Sequence, residues 1–348
     1  MSNLIEINIQ TYCEAITRYL VHLDLGNLPQ WDVHKEFSLT PLAQGEYNMN
    51  FILRQGRLKY VVRVNTGSQI GKSLPDQIRY EYDTLKMLEP AGVTPKVYLL
   101  DSSCQFIPYG VLIMEYLAGE KLDYRSDNQT AAKLFATYHQ LSVGDPAHLI
   151  IEGYPLSLTY ERCLLMAPKY WESPLADPEV AAYLKEIFAW AEKARHREKF
   201  FVEDRWQCII NTEVNNGNFI KNTKKGTLHL VDWEKPLWGD PSQDLSHYRV
   251  PTTTLWKTEY RMSDVDKNEM MHAYKEAIQD KHLRDTIEER TRLRDPFNCL
   301  RGISWCAMAW VQYQTGRHTL RNQDTWRKLS IYVDLKFLRE LFEPFMKG

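Results

Sequence analysis

The stretch from Cys208 to Leu245 constrains the fold more than any other part of the chain. It reads C-I-I-N-T-E-V-N-N-G-N-F-I, then L-H-L-V-D-W-E, then G-D-P-S-Q-D-L. The apolar run Cys208–Ile210 enters a turn that carries Glu213 and ends at Asn218. Phe219 and Ile220 start a second short strand, and the polar residues 221–227, with Gly226 near their end, have the composition of a hairpin turn. Leu228–Val231 returns and delivers Asp232 at its end. Glu213 and Asn218 therefore share one loop, and Asp232 stands at the mouth of the adjoining hairpin. Such a path can converge three oxygen-bearing side chains on one point. An oxygen-only ligand set suits a hard cation such as Mg²⁺, which takes a few protein oxygens together with substrate phosphates.

Composition narrows the function classes. A formal net charge of −2 leaves no electrostatic case for nucleic acid or an anionic membrane. The start, Met1-Ser2-Asn3-Leu4-Ile5-Glu6, lacks the basic and apolar regions of a signal peptide. No apolar run approaches the roughly 20 residues that span a bilayer. The six cysteines are scattered, with no C-x-x-C and no His at zinc spacing. They are expected to be reduced, mostly buried thiols of a cytoplasmic protein. The oligomeric state has no signature in the sequence.

The Cys208–Leu245 stretch resembles the catalytic and metal loops of the aminoglycoside phosphotransferase and choline kinase-like families, small-molecule relatives of the protein kinases. Their loop runs H-G-D-x-x-x-x-N, then a hairpin, then D-x-E or D-x-D; the matching letters are Asn211-Thr212-Glu213, Asn218 and Asp232-Trp233-Glu234. The next landmark, G-D-P-x-x-D-L, is intact at Gly239-Asp240-Pro241 and Asp244-Leu245. One departure matters: the slot of the catalytic aspartate holds Glu213, one methylene longer. The resemblance implies an α+β, bilobal protein-kinase-like fold. A nucleotide-binding lobe with a leading helix, an antiparallel sheet and a main helix would occupy residues 1–118. A larger, mainly helical catalytic and acceptor-binding lobe would occupy 119–348. It also implies ATP and Mg²⁺ as cofactors and a small molecule with a hydroxyl as acceptor. The alternative is a nucleotide-binding, pseudokinase-like protein with little transferase activity.

Taken in order, residues 8–25 place Tyr12, Ile16, Tyr19 and Leu23 on one helical face. Phe37–Leu42, Met49–Arg54 and Leu58–Val64 read as strands. By resemblance, the turn Ala43–Asn48, with Gly45 and Asn48, covers the nucleotide phosphates. Arg63 takes the place of the strand lysine of protein kinases, and Glu81, on a helix over Gln77–Leu88, is its partner. Ile78, Tyr82, Leu85 and Leu88 form that helix's buried side. Gly67–Ser73 is a near P-loop with three residues, not four, between its glycines, and is read as a polar loop. Lys96–Leu100 and Val111–Met114 are the next strands, and Glu115–Gly119, including Glu115 and Leu117, is the linker whose backbone would meet the adenine edge. Ala131–Leu141 resembles the helix opening the second lobe, with His139 structural and bonded to a buried backbone acceptor. Ala181–Lys199, 264–281, 296–314 and 324–343 read as helices. Asp240 and Asp244 are expected to cap backbone and brace the loop. Trp305 and Trp310 are assigned to the core. For a cationic acceptor, Asp240, Asp244 and Glu234 with Trp233, Trp238 and Trp256 are candidates, and Pro251–Lys257 is suspected to line the acceptor pocket.

Overall fold

The period-two apolar pattern between Ser38 and Asn65 forms a three-stranded antiparallel meander in the computed structural model, which describes residues 9–45, 47–316 and 323–347. Helix α1 (Ile9–Val21) precedes β1 (Ser38–Gln44), β2 (Asn48–Gln55) and β3 (Leu58–Asn65); α2 (Leu74–Leu88), β4 (Val97–Asp101) and β5 (Gly110–Glu115) follow. The five strands make one antiparallel sheet in the order β1-β2-β3-β5-β4. Helices α3 (Asn128–His139), α4 (Pro155–Leu164), α5 (Pro168–Trp171), α6 (Pro178–Ala194) and α7 (Lys199–Glu203) come next. They lead to β6 (Cys208–Ile210), β7 (Phe219–Asn222), β8 (Thr227–Leu230) and β9 (Leu237–Gly239). The rest is helical: α8 (Ser242–Arg249), α9 (Pro251–Lys257), α10 (Asp264–Ala277), α11 (Lys281–Gln314), α12 (Gln323–Tyr332) and α13 (Leu335–Lys347).

The chain divides into two compact units. One comprises Met1–Lys121, Leu141–Ile150 and Asn218–Pro236; the other comprises Leu122–Gln140, Ile151–Gly217 and Leu237–Gly348. In the first, strand β3 is covered on both faces. Tyr60, Val62 and Val64 pack with Ile16, Tyr19 and Leu20 of α1 in one apolar cluster. Alternation then turns Arg63 to the opposite face, where α2 brings Glu81. The hairpin β7–β8 belongs to this unit, with Phe219 opposite Leu230 and Gly226 in the turn at φ 64°. The second unit is built around α11, whose Phe297, Cys299, Leu300 and Ile303 join Leu184, Ile187 and Phe188 of α6 in the larger core.

Several boundaries differ from the sequence reading. Helix α2 starts three residues earlier, at Leu74, because Ser73 caps it through its side chain and Pro75 fits the first turn. Tyr80 and Glu81, not Tyr82, are buried on that helix, since Glu81 has Arg63 to pair with. The predicted helix 296–314 is the second half of one long helix that runs through Pro296. Burial of Ile287, Leu293, Phe297 and Leu300 along it outweighs the roughly 3 kcal/mol that one interior proline costs. The predicted helix 324–343 is two helices, divided where the Asp334 carboxylate accepts the Phe337 N–H. Position 8 of the first helix, Glu46 of the Ala43–Asn48 turn and the side chain of Lys257 lie outside the described residues.

Gly119 follows β5 where Glu120 and Lys221 exchange backbone hydrogen bonds of 2.9 and 2.8 Å. A Cβ at Gly119 would meet the Lys221 carbonyl oxygen at 2.4 Å, and that backbone is pinned. Gly119→Ala is expected to destabilise by about 1–3 kcal/mol, whereas Gly144→Ala, with nothing within 4 Å of the new methyl, is expected to leave the thermal midpoint unchanged.

Candidate active site

In the sheet unit, Arg63 is buried and its guanidinium meets three carboxylates. Its Nε donates to Glu81 at 2.9 Å, and its Nη2 donates to Asp232 at 2.7 Å and reaches Glu234 at 3.5 Å. Burial pushes the Glu81 carboxyl up, and the pull of Arg63 only partly offsets it. Burial alone would lower the Arg63 value, but Glu81, Asp232 and Glu234 raise it above the usual arginine range. Asn48 donates to Glu234, and Gln77 donates to the Glu234 carbonyl at 2.5 Å, so Asp232-Trp233-Glu234 is held from β2, β3 and α2 together.

The hairpin brings Asn218 and Asp232 to the same end. The Val231 N–H donates to the Asn218 carbonyl at 2.8 Å, just before Asp232. Asp232 itself has φ 66°, a left-handed conformation uncommon outside glycine. Carboxylate oxygens of Asp232 and Glu234 lie within 4.8 Å of one another. One guanidinium thus faces three acids, an excess of negative charge that a divalent cation would offset. The donor set, an amide oxygen and carboxylates, suits Mg²⁺.

The other predicted nucleotide residues fall as follows. The Gly45 N–H donates to the Asn48 carbonyl at 2.9 Å and closes the β1–β2 turn. A Cβ on Gly45 would meet only that carbonyl, at 3.7 Å. Glu115 ends β5, with its N–H donating to the Lys96 carbonyl at 2.8 Å, and Leu117 is half-buried just after it. Trp233 is fully buried and donates to the Leu230 carbonyl at 3.0 Å, so it is a core residue and not a platform for a cationic acceptor. Glu234 is likewise committed to Asn48 and Arg63.

In the helical unit, the loop after β6 hangs on Asp244. This fully buried carboxylate accepts the backbone N–H groups of Asn211 and Thr212, both at 2.8 Å, and the Tyr138 hydroxyl at 2.5 Å. His139 faces it at 3.4 Å and meets the Tyr274 hydroxyl at 3.0 Å. His139 is therefore structural, but its partners are side chains, not the backbone acceptor expected. Burial would raise the Asp244 carboxyl; the contacts from His139 and Tyr138 and the Asn211 N–H hold it below the usual carboxylate range. Asp240 braces in the same manner, accepting the Ser242 N–H at 3.0 Å and pairing with Arg290 at 2.5 Å. Both aspartates are thus committed and do not face an acceptor.

Thr212 sits at φ 73°, strained for a β-branched residue, and the next residue is Glu213. The Asn211 side chain accepts the Glu213 N–H at 3.0 Å. Arg301 of α11 donates to the Thr212 carbonyl at 2.9 Å and to the Glu213 carboxylate at 3.0 Å. Nothing in the sequence pattern points to Arg301, because 88 positions separate it from Glu213.

The family model described as "Phosphotransferase enzyme family" matches residues 38–277. The chain belongs to the phosphotransferase enzyme family. Solved structures share its fold along nearly the whole length. A microcompartment-associated aminopropanol kinase aligns with TM-score 0.65 at 16% identity, over 98% of each chain. An ethanolamine kinase of Plasmodium vivax aligns with TM-score 0.65 at 12% identity, covering 97% of this chain and 92% of its own. A choline kinase from Cryptosporidium parvum Iowa II aligns with TM-score 0.63 at 13% identity, covering 95% and 97%. No curated protein matches in sequence. The fold of this phosphotransferase-family chain is thus the α+β, bilobal, kinase-like one, and no helix among the described residues is long and apolar enough to cross a membrane.

Asp244→Asn places an amide where two N–H donors point, and is expected to cost about 2–4 kcal/mol at neutral pH. Because the folded carboxyl lies below its unfolded value of about 3.9, its stabilisation is present above that pH and is lost as pH falls through the lower folded value. The stability gap between Asp244→Asn and the parent, followed by denaturant unfolding, is expected to close in that acid window.

Proposed function

We propose that the protein transfers the γ-phosphate of ATP to a hydroxyl of a small molecule, with Mg²⁺ as metal cofactor. The observation that carries this reading is Arg63, buried between Glu81 and Asp232 on a phosphotransferase-family scaffold. Phosphoryl transfer asks a protein mainly for positioning and charge neutralisation, and this arrangement is built for charge. Residues 1–118 serve as the nucleotide lobe and 119–348 as the catalytic and acceptor lobe. MgATP supplies the phosphoryl group and shields its charge. Asn218 and Asp232 hold the metal. Arg63, kept in one rotamer by Glu81, grips phosphate oxygens; Gly45 and Asn48 belong to the turn over the phosphates, and the backbone at Glu115 and Leu117 receives the adenine edge.

Glu213 is the catalytic carboxylate. It accepts a hydrogen bond from the acceptor hydroxyl and takes its proton as the acceptor oxygen bonds to phosphorus and the bond to the leaving nucleotide breaks. The extra methylene relative to aspartate moves its oxygens by about an ångström, a displacement that can cost on the order of 10²-fold. Arg301 fixes where those oxygens lie. The names of the similar structures favour small alcohols such as amino alcohols as a starting panel. The free cysteines, all buried except half-exposed Cys104, fit a reducing, cytoplasmic setting.

A second reading is a nucleotide-binding protein with little transferase activity, favoured by the same Arg301 contact, which occupies the Glu213 carboxylate. Single-turnover transfer from labelled ATP separates the two. The enzyme reading expects Glu213→Gln to lower the rate about 10²–10⁴-fold with nucleotide affinity retained. It expects Asp232→Ala to abolish Mg²⁺-dependent nucleotide binding, measured by calorimetry. Transfer by neither parent nor Glu213→Asp, with MgATP bound by both, supports the second reading.

A further inference from the structure

The acceptor side of Glu213 is basic. Arg301 uses two of its five N–H donors among the described residues, one on the Thr212 carbonyl and one on Glu213, and its side chain is about a quarter exposed (27%). Helix α4 packs along α11, and the Cys163 thiol meets the Ser304 hydroxyl, which sets the register between them. That register brings Arg162, the neighbour of Cys163, beside Arg301, so the two guanidinium groups repel. Arg162 forms no ion pair among the described residues, and its nearest acid, Glu152, is already bound in two places by Arg294. One α-helical turn beyond Arg301, Trp305 presents an indole packed edge-on against Trp256. The acids that could receive a cationic acceptor in this unit, Asp240 and Asp244, are committed to Arg290 and to the loop backbone.

Two guanidinium groups beside one carboxylate leave a net positive charge at the place where the acceptor hydroxyl must lie. An ammonium or choline-like acceptor would be repelled there, and an anion would relieve the repulsion between the arginines. We propose that the acceptor is a small alcohol carrying its own anionic group, a carboxylate or a phosphate, held by Arg162 and Arg301 while its hydroxyl meets Glu213. Arg301 then plays two parts, positioning the catalytic carboxylate and binding the acceptor. Arginine suits this because its planar fork binds a carboxylate or phosphate through two N–H groups at once. The proposal rests on the kinase reading above, and it reverses the charge of the acceptors named for the similar structures.

The test uses the full chain loaded with Mg²⁺ and a non-hydrolysable ATP mimic, and four probes: 3-hydroxypropionate, glycerol 3-phosphate, 3-aminopropan-1-ol and choline. Calorimetry is expected to show binding of at least one anionic probe and of neither cationic one; which anion binds tells carboxylate from phosphate. Arg162→Ala is expected to weaken that binding about tenfold to a hundredfold, Arg162→Lys to restore part of it, and nucleotide affinity to stay unchanged. In turnover with the bound probe, Arg162→Ala is expected to raise KM with kcat little changed, and Arg301→Ala to raise KM and lower kcat together. Binding of a cationic probe in preference, or of no anionic probe at millimolar concentration, or indifference of anion binding to Arg162, overturns the proposal. Failure of the mimic itself to bind overturns the kinase reading and this inference with it.

Discussion

The candidate catalytic loop depends on a single buried carboxylate. Asp244 holds the N–H groups of Asn211 and Thr212, and without it Thr212 has no reason to remain at φ 73°. The magnitudes support this order of cause. A left-handed β-branched residue costs of the order of 1–3 kcal/mol, while each charge-assisted hydrogen bond contributes about 1.5–3 kcal/mol. Two such bonds to the backbone therefore outweigh the strain, with Tyr138 and His139 meeting the rest of the carboxylate. The direction in which Glu213 leaves the loop is thus decided one turn of chain away from it, by a residue that touches no substrate.

The sheet unit solves the opposite electrostatic problem. There a single buried cation is shared by Glu81, Asp232 and Glu234, and the surplus is negative. A buried pair of this kind contributes little net stability, because desolvation offsets most of the attraction. What it does contribute is position: Arg63 cannot swing away without leaving acids uncompensated. Left-handed backbone recurs here, at Asp232, so both stretches of the motif that carry functional carboxylates store strain next to them.

Much of this is legible in the letters. The Glu213, Asn218 and Asp232 spacing, the hairpin between Phe219 and Leu230, and the pairing of Arg63 with Glu81 follow from local pattern and family resemblance. The bracing role of Asp240 and Asp244 is legible too. Contacts between residues far apart in sequence are not. Arg301 reaches Glu213 across 88 positions, and Asn48 reaches Glu234 across 186. Trp233 is hard to place because an aromatic beside a site motif looks the same in sequence whether it faces ligand or core; the Leu230 carbonyl and the packing around it decide. Pro296 looks like a helix start in sequence, yet burial on both sides of it outweighs local propensity.

Helix α11 carries three of these long-range contacts on one stripe. Arg290, Arg294 and Arg301 fall within about 40° of one another around the helix axis, and they hold Asp240, Glu152 and Glu213 respectively. The helix is in effect a ruler with three marks. The first two are structural and tolerate no change of spacing, whereas the third looks onto the acceptor. Divergence of substrate preference within such a scaffold can therefore proceed at the Arg301 mark alone, leaving the calibration of the other two untouched.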